Sequence, residues 1–232
     1  MHRNSILNAL SEDEREFVSH HLEAVTLNRR KLLYDVDVPI EHVYFITEGV
    51  ASIVSFLDDG TSVETATVGC EGMVGIGVYL GTPVMSEQAF VQIEGGGYRM
   101  SAEQLRECLR GCEHLSALLG RYTSALLRLL AQTSACNRRH AIVQRCARWL
   151  LMTHDRAGRD TFELTQQFLS QMLGVRRATV SAVAMSLQKA GCIEYSRGRI
   201  TILDRKGLER EACECHAVIR NEFARAGAIR HG

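Results

Sequence analysis

Residues 165–190 read TQQFLSQMLGVRRATVSAVAMSLQKA, two short helical patterns joined at Gly174, with Arg176 and Arg177 opening the second. Phe168, Leu169, Met172 and Leu173 give the first an apolar face. Val180, Val183, Ala184 and Leu187 give the second the i, i+3, i+4, i+7 stripe of a half-buried helix. Gly174 can take the positive φ that a tight turn between them demands. Away from the stripe the second helix carries Arg176, Arg177, Ala178, Ser181, Ala182 and Lys189, short or basic side chains suited to a DNA groove. An ordinary helical hairpin would show the same two faces, and the residues that follow argue against it. Ile193-Glu194-Tyr195, then Ser196-Arg197-Gly198-Arg199, then Ile200-Thr201-Ile202-Leu203 are two apolar runs around a basic turn containing glycine. A β-hairpin in that position is the wing of a winged helix-turn-helix.

The chain has 232 residues, room for one large domain or two smaller ones. Its 27 basic and 27 acidic residues cancel, yet residues 1–120 hold 8 Lys and Arg against 18 Asp and Glu, and residues 121–232 hold 19 against 9. Two differently charged halves suit two domains, and the basic half suits a polyanion. No apolar run reaches the roughly 18 residues of a membrane span. The opening MHRNSILNALSEDERE lacks the apolar core of a signal peptide, so a cytoplasmic protein with no membrane partner is expected. Cys70, Cys108, Cys112, Cys136, Cys146, Cys192, Cys213 and Cys215 are scattered through helical and strand patterns, and reduced, mostly buried thiols are expected.

Ser11-Glu12-Asp13-Glu14 has the form of a capping box opening a short helix. From Lys31 the pattern changes to short β-branched or aromatic runs at residues 43–46, 50–57, 63–68 and 89–93. They are separated by Gly49, Asp58-Asp59-Gly60, the glycine-rich residues 69–81 and Gly95-Gly96-Gly97. Strands at this spacing predict a small sandwich or barrel. Ser101-Ala102-Glu103-Gln104 is a second capping box, leading to helix with a break near Gly111. Leu115, Leu119, Tyr122, Leu126, Leu129, Thr133 and Cys136 then alternate at spacings of four and three, an a/d seam that predicts pairing with a second copy of the chain. A core helix lying on the β domain is the alternative, and Leu118, Ala125 and Leu130 on another face suit it. A further helix at residues 141–154 carries Trp149, and beyond the wing Asp204 is placed to cap a last helix running to about Ala226.

This order of parts resembles the Crp/Fnr family of bacterial transcription regulators over about residues 27–208. In the first half the likeness rests on Val43-Tyr44-Phe45-Ile46-Thr47-Glu48-Gly49, Asp59-Gly60 and Gly69-Cys70-Glu71-Gly72-Met73-Val74-Gly75; in the second it rests on residues 164–181, LTQQFLSQMLGVRRATVS. The resemblance implies an α+β fold with a cyclic-nucleotide-binding-like β-roll sensor domain and N-terminal helix at residues 1–112. A dimerisation helix at 113–138 and a winged helix-turn-helix at 139–232 would follow. It also implies a homodimer that binds a two-fold-related operator in double-stranded DNA, with RNA polymerase as a further partner. The family reads bases with an arginine, a following acid and a second arginine. Arg177 matches the first and can bond guanine O6 and N7, whereas Ala178 and Ala182 replace the other two, so the family's operator is not expected to carry over. Arg176, Thr179, Ser181 and Lys189 would add phosphate or base contacts, Thr165 and Gln167 would hold backbone, and Arg197 and Arg199 would flank phosphate from the wing.

The resemblance further implies an effector pocket around Glu71, Gly72, Ser86, Gln88 and Thr133. Members that bind cyclic nucleotides hold the ribose with a Gly-Glu pair and the phosphate with an Arg followed by Ser or Thr. Glu71 matches, but the later segment reads Met85-Ser86-Glu87-Gln88-Ala89, and Glu87 in the place of arginine sets carboxylate against phosphate. Thr133-Ser134 also lies three residues from the family's Thr-Ser. A small-molecule effector other than cyclic AMP is therefore the expectation. With no cysteine before Cys70 an iron–sulfur cluster is not expected, and His20, His21 and His42 read as surface or capping residues rather than haem ligands. Cys213-Glu214-Cys215-His216 reads as helix whose side chains diverge, with no fourth ligand, so no metal site is expected. Cys136 reads as a small seam residue rather than a redox switch. Residues 69–81 lack the lysine and the strand-to-helix setting of a phosphate-binding loop, and no nucleophile elbow is present, so the chain is not expected to be an enzyme. A ligand- or redox-responsive adaptor acting through protein contacts is the alternative function, and the basic half argues against it.

Overall fold

A computed structural model of the chain describes residues 3–227. The buried Asn4 starts the fold. Its side chain accepts from Ile6 N and Leu7 N to cap α1 (Ser5–Asn8) and donates to Ile46 O and Gly72 O, tying the N-terminus to two parts of the sheet. Ser11 caps α2 (Glu12–Ser19) through Glu14 N, but Glu14 does not close the box; its carboxylate accepts from His114 N at 3.0 Å.

There follow β1 (Glu23–Leu27), β2 (Leu32–Tyr34), β3 (His42–Phe56), β4 (Ser62–Val68), β5 (Met73–Val74), α3 (Ile76–Tyr79) and β6 (Glu87–Ser101). They form one antiparallel sheet of order β1-β6-β3-β4, with β2 added to β6 and β5 to β3. The long β3 and β6 pair from His42 opposite Ser101 to Ser55 opposite Glu87 and shift register around Glu48 and Val50. Gly49, Gly95, Gly96 and Gly97, expected between strands, lie inside these two. Gly49 takes φ +88 at the shift, and a Cβ on Gly95 would stand 2.1 Å from Glu48 O. The glycines permit two backbones to close on each other at a bulge. The β1 strand, which the sequence reading did not include, pairs with the same glycines, Leu27 opposite Gly95 and Val25 opposite Gly97.

The Ser101 box on α4 (Ala102–Gly111) is complete, with Gln104 N bonded to Ser101 Oγ and Ser101 N to Gln104 Oε1. After Cys112 comes α5 (Glu113–Arg139), the longest helix among the described residues. The heptad set read as a dimer seam faces the chain's own core. Leu115, Leu119, Tyr122, Leu126, Leu129 and Cys136 are all buried within the single chain, and Thr133 is half-buried. Leu118 and Ala125 are buried as well, so two adjacent faces of α5 are covered by the chain itself. Periodicity reports that a stripe is apolar, not which molecule covers it. The face left to solvent carries Ala117, Arg121, Ser124, Leu127, Ala131 and Ser134, with Leu127 62 % exposed and the neighbouring Leu130 38 %.

The second half comprises α6 (Ile142–Ala157), β7 (Thr161–Glu163), α7 (Gln166–Leu173), α8 (Arg177–Lys189), β8 (Ile193–Ser196), β9 (Arg199–Ile202), α9 (Arg205–Glu211) and α10 (Cys215–Arg225). The last two were expected as one helix. Residues 212–214 break it, so that α9 lies on α6 and α10 returns along α5. No helix among the described residues is long and apolar enough to cross a membrane.

The halves are docked through an apolar junction, in which Val50, Val54 and Ile93 of the sheet share a core with α6 and α7, and through buried polar groups. Arg156 Nε of α6 donates to Glu71 Oε1 at 2.7 Å, with side chains only 6 % and 3 % exposed. Glu71 also accepts from Gly69 N at 3.1 Å, while Arg156 donates to Met152 O and stacks over Phe223 of α10. Removing one partner would leave an unpaired charge out of water. Arg156→Ala is therefore expected to cost about 3–5 kcal/mol, and replacing both residues together by Met and Leu is expected to recover most of it. Urea unfolding provides the check, and an unchanged midpoint for Arg156→Ala would show that the pair contributes nothing.

Candidate nucleic-acid interface

Thr165 Oγ1 accepts from Phe168 N at 3.1 Å and caps α7, so its hydroxyl is occupied in shaping the motif. Gly174 ends α7 in the left-handed region, φ +63, as its place in the sequence required. Leu169, Met172 and Leu173 on α7 and Val180, Val183, Ala184 and Leu187 on α8 all turn inward, while Phe168 is half-buried and meets Phe90 of β6 edge to face. Each fully buried aliphatic side chain contributes about 1.5–3 kcal/mol, and together they orient α8. Two polar ties hold the pair: Ser181 Oγ donates to Gln166 Oε1 at 2.8 Å, and Arg145 of α6 donates to Leu173 O at 2.8 Å.

The N-terminal end of α8 is left open. Arg176 is its N-cap residue and supplies no side-chain cap, so the first backbone N–H groups point outward beside two exposed guanidiniums, Arg176 and Arg177. Ala178 and Ala182 are exposed on the same helix with Lys189 in its last turn; Thr179 and Ser181 are half-exposed, and Gln167 lies exposed on α7. Met185, which the sequence reading passed over, is 55 % exposed on α8. Its place outside the i, i+3, i+4, i+7 stripe was the available signal.

The wing is the hairpin of β8 and β9, joined to β7 in the order β7-β9-β8. Arg197 and Gly198 form its two-residue turn with φ +50 and φ +75, the pair of left-handed residues that matches strand twist in a hairpin. Tyr195 secures it, its N–H bonded to Gln188 Oε1 and its hydroxyl to Leu164 O. Arg197 stands exposed at the tip. Arg199 is exposed as well but borders a crevice of about 170 Å³ against β6, in company with Arg29, Glu94, Arg159 and Glu163. Of the nine expected DNA contacts, Gln167, Arg176, Arg177, Lys189 and Arg197 stand exposed and Thr179 is half-exposed; the hydroxyls of Thr165 and Ser181 are engaged within the motif, and Arg199 sits at the domain junction.

The five residues expected to line an effector pocket are not brought together. Glu71 is covered by Arg156; a Cβ on Gly72 would meet Tyr122 Oη at 2.4 Å; Ser86 Oγ lies by Glu87; and Gln88 donates to Asp35 at 2.7 Å. Thr133 borders a small cavity of about 30 Å³ beneath Trp149. The residues match the family by order along the chain, while their side chains are committed to other neighbours. A larger cleft, about 760 Å³, lies beside Glu71 between α1, α6 and α10, and reaches Asp155, Arg205, His216 and Arg220.

The winged domain is also held to the sheet at Glu64 of β4, whose Oε1 accepts from Trp149 Nε1 at 2.5 Å. Loss of hydration pushes this half-buried carboxyl up to about 7, against the lowering effect of its bonds from Ser52 and Trp149. Ser52 Oγ donates to Glu64 Oε2 at 2.7 Å, as Trp149 does to Oε1, and these two bonds favour the charged form without outweighing the loss of hydration. The folded state therefore binds the Glu64 proton more tightly than the unfolded chain does. Its stabilising contribution is complete below the ordinary value of 4.5 and is lost as pH rises through about 7. Glu64→Gln keeps a neutral group in place, so the difference in Tm between this variant and the wild type is expected to move in the variant's favour from about pH 5 to pH 8. Thermal melts showing a constant difference would contradict it.

Residues 144–211 match the family model of the Crp-like helix-turn-helix domain, which spans α7, α8 and the wing. Solved structures are similar over most of the chain. A regulator assigned to the Crp/Fnr family from Eubacterium rectale superposes with a TM-score of 0.69 at 15 % identity, covering 90 % of this chain and 97 % of that one. The c-di-GMP responsive global regulator CLP of Xanthomonas campestris gives 0.67 at 15 % identity, over 84 % and 100 %. A Crp-family transcriptional regulator of Thermus thermophilus gives 0.65 at 22 % identity, over 81 % and 96 %. No curated protein matches. At these identities the structures establish the fold, a β-roll, a long helix and a C-terminal helix-turn-helix of Crp/Fnr type.

Proposed function

From a Crp-like helix-turn-helix domain carried on a fold of Crp/Fnr type, we propose that this chain is a homodimeric, DNA-binding transcription regulator. The observation that carries the proposal is the open N-terminal end of α8, where Arg176, Arg177 and uncapped backbone N–H groups stand exposed on a helix whose other face is locked into the core. Arginine at the first turn of such a helix reaches guanine O6 and N7 in the major groove. Arg197 at the wing tip and Lys189 supply phosphate contacts, which set affinity without reading sequence. Arg177→Ala is expected to lose about 1–3 kcal/mol of discrimination at one base pair, whereas Arg197→Ala should weaken all duplexes alike and lower the salt slope by about 1. Binding-site selection followed by salt titration measures both. Equal losses on selected and random duplex for Arg177→Ala would count against direct readout.

The second copy is proposed to pair along the face of α5 that the chain leaves open, not along the buried heptad set. Ala117, Ser124, Leu127, Ala131 and Ser134 recur there at heptad-like spacing, small residues around one large exposed leucine. Leu127→Glu is expected to convert the dimer to monomer in light scattering while leaving the fold intact, and a two-fold-related operator would then be bound weakly. A dimer that survives Leu127→Glu would place the interface elsewhere. The 760 Å³ cleft is a place where a small molecule would touch both halves, since Glu71 and Arg156 border it together.

A further inference from the structure

We propose that Cys136, His140, Cys213 and Cys215 form a closed site for one zinc ion that joins the end of α5 to the junction of α9 and α10. The expectation of no metal rested on two premises, and neither holds. Cys213 is not on a helix, because residues 212–214 break between α9 and α10, and the missing ligands come from a distant part of the chain. Cys136 lies in the last turn of α5, and His140, the residue that ends the helix, is tied one turn on by its N–H bond to Cys136 O at 3.0 Å.

One ligand atom from each of the four residues lies within 4.8 Å of all the others. Zinc bonds of about 2.3 Å to sulfur and 2.0–2.1 Å to nitrogen, in a tetrahedron, set neighbouring ligand atoms about 3.4–3.8 Å apart. Cys136 Sγ and Cys213 Sγ are 3.5 Å apart, and Cys215 Sγ and His140 Nδ1 are 3.5 Å apart. The three cysteines, 0 %, 5 % and 0 % exposed, make a small buried cluster of their own, distinct from the two main cores. All eight cysteines are free thiols, and a disulfide bond of about 2.05 Å between any two of the three would leave the third and the imidazole without a role.

The surroundings are arranged as metal ligands require. His140 Nε2 is 3.3 Å from Glu214 Oε1, which turns Nδ1 toward the sulfurs, and Gln132 Nε2 donates to Cys215 Sγ at 3.0 Å. His216, adjacent in sequence, turns away and bonds Asp155 at 2.8 Å. Three thiolates and an imidazole are soft to intermediate donors that select zinc over magnesium or calcium. They fill all four positions, which marks a structural site rather than one that activates water. Binding releases three thiol protons to solvent and changes no oxidation state. Because α6 starts just after His140 and α9 ends just before Cys213, the ion would cross-link the entry and exit of the winged domain. The site stands whether or not that domain binds DNA.

Elemental analysis of the full chain, expressed in zinc-supplemented medium and purified with a phosphine reductant, is expected to give one zinc per chain that survives dialysis and is released by a mercurial. Cys70→Ser, outside the cluster, should keep the ion, and Cys136→Ser or Cys215→Ser should lose it. Wild-type protein stripped of metal supplies a readout that no variant's folding can confuse: cobalt(II) should produce thiolate charge-transfer and tetrahedral d–d absorption that saturates at one equivalent and is bleached by zinc. Zinc content no higher than in a variant lacking all four ligands would overturn the proposal. So would a cobalt complex without thiolate bands, or a Cys136–Cys213 disulfide in metal-free protein prepared without reductant that zinc fails to prevent.

Discussion

Glu71 and Arg156, 2.7 Å apart and nearly out of water, are a pair of charges that neither half of the molecule could bury alone. Desolvating either ion by itself costs several kcal/mol, so the loop before β5 and helix α6 must stay together or separate completely into solvent. Much of the domain arrangement follows from that requirement. Arg156 lies over Phe223, which brings α10 against Tyr122 of α5, and α10 in turn covers the helix face that the heptad pattern offered to a second chain. The glutamate that resembles a ribose ligand is thus the anchor of a domain junction. A ligand reaching for Glu71 would have to compete with a guanidinium already in place.

The parts of the fold that were legible in the sequence are those decided by neighbouring residues. Gly174 could be placed in a left-handed turn, Phe168 to Leu173 on one helix and Arg197-Gly198 in a hairpin because each depends on a few consecutive side chains and the backbone between them. The open surface of α8 could be read the same way, from the residues its apolar stripe leaves over. The glycines at 95–97 were misplaced because glycine marks a close backbone approach as readily as a turn, and the partner of that approach, Glu48, lies far away along the chain.

What could not be read depends on which distant surfaces meet. On α5 the periodicity was visible, but the covering partners were not: β4 and α10 pack there, and the face left open is small and polar enough to escape a search for apolar stripes. The break at residues 212–214 has no proline or glycine to announce it. It exists because α9 is drawn to α6 while α10 is drawn to α5, a tertiary demand that overrides a helix-permissive stretch. The four residues gathered at that break were individually visible, and Cys136 and His140 even had the spacing of one helical face, yet nothing local pairs them with Cys213 and Cys215.

These arrangements bear on how a signal would travel. Helix α5 touches the sheet along one stretch, α10 along another, and ends at the four-residue cluster from which α6 departs. If the open ridge of α5 pairs with a second copy, the separation of two α8 helices is set by where each winged domain sits on its own α5. For major-groove binding by a two-fold dimer that separation must match about one turn of DNA, roughly 34 Å. The domain is held to the first half at Glu71–Arg156 and Glu64–Trp149, α7 rests Phe168 against Phe90, and Val50, Val54 and Ile93 of the sheet share one apolar core with α6, α7 and α8. Of the two polar links, the first borders the 760 Å³ cleft and the second ends on a carboxyl whose proton affinity the fold raises. The helix-turn-helix pair is therefore set in place by an apolar junction as well as by two polar links, and its own buried residues hold α7 against α8.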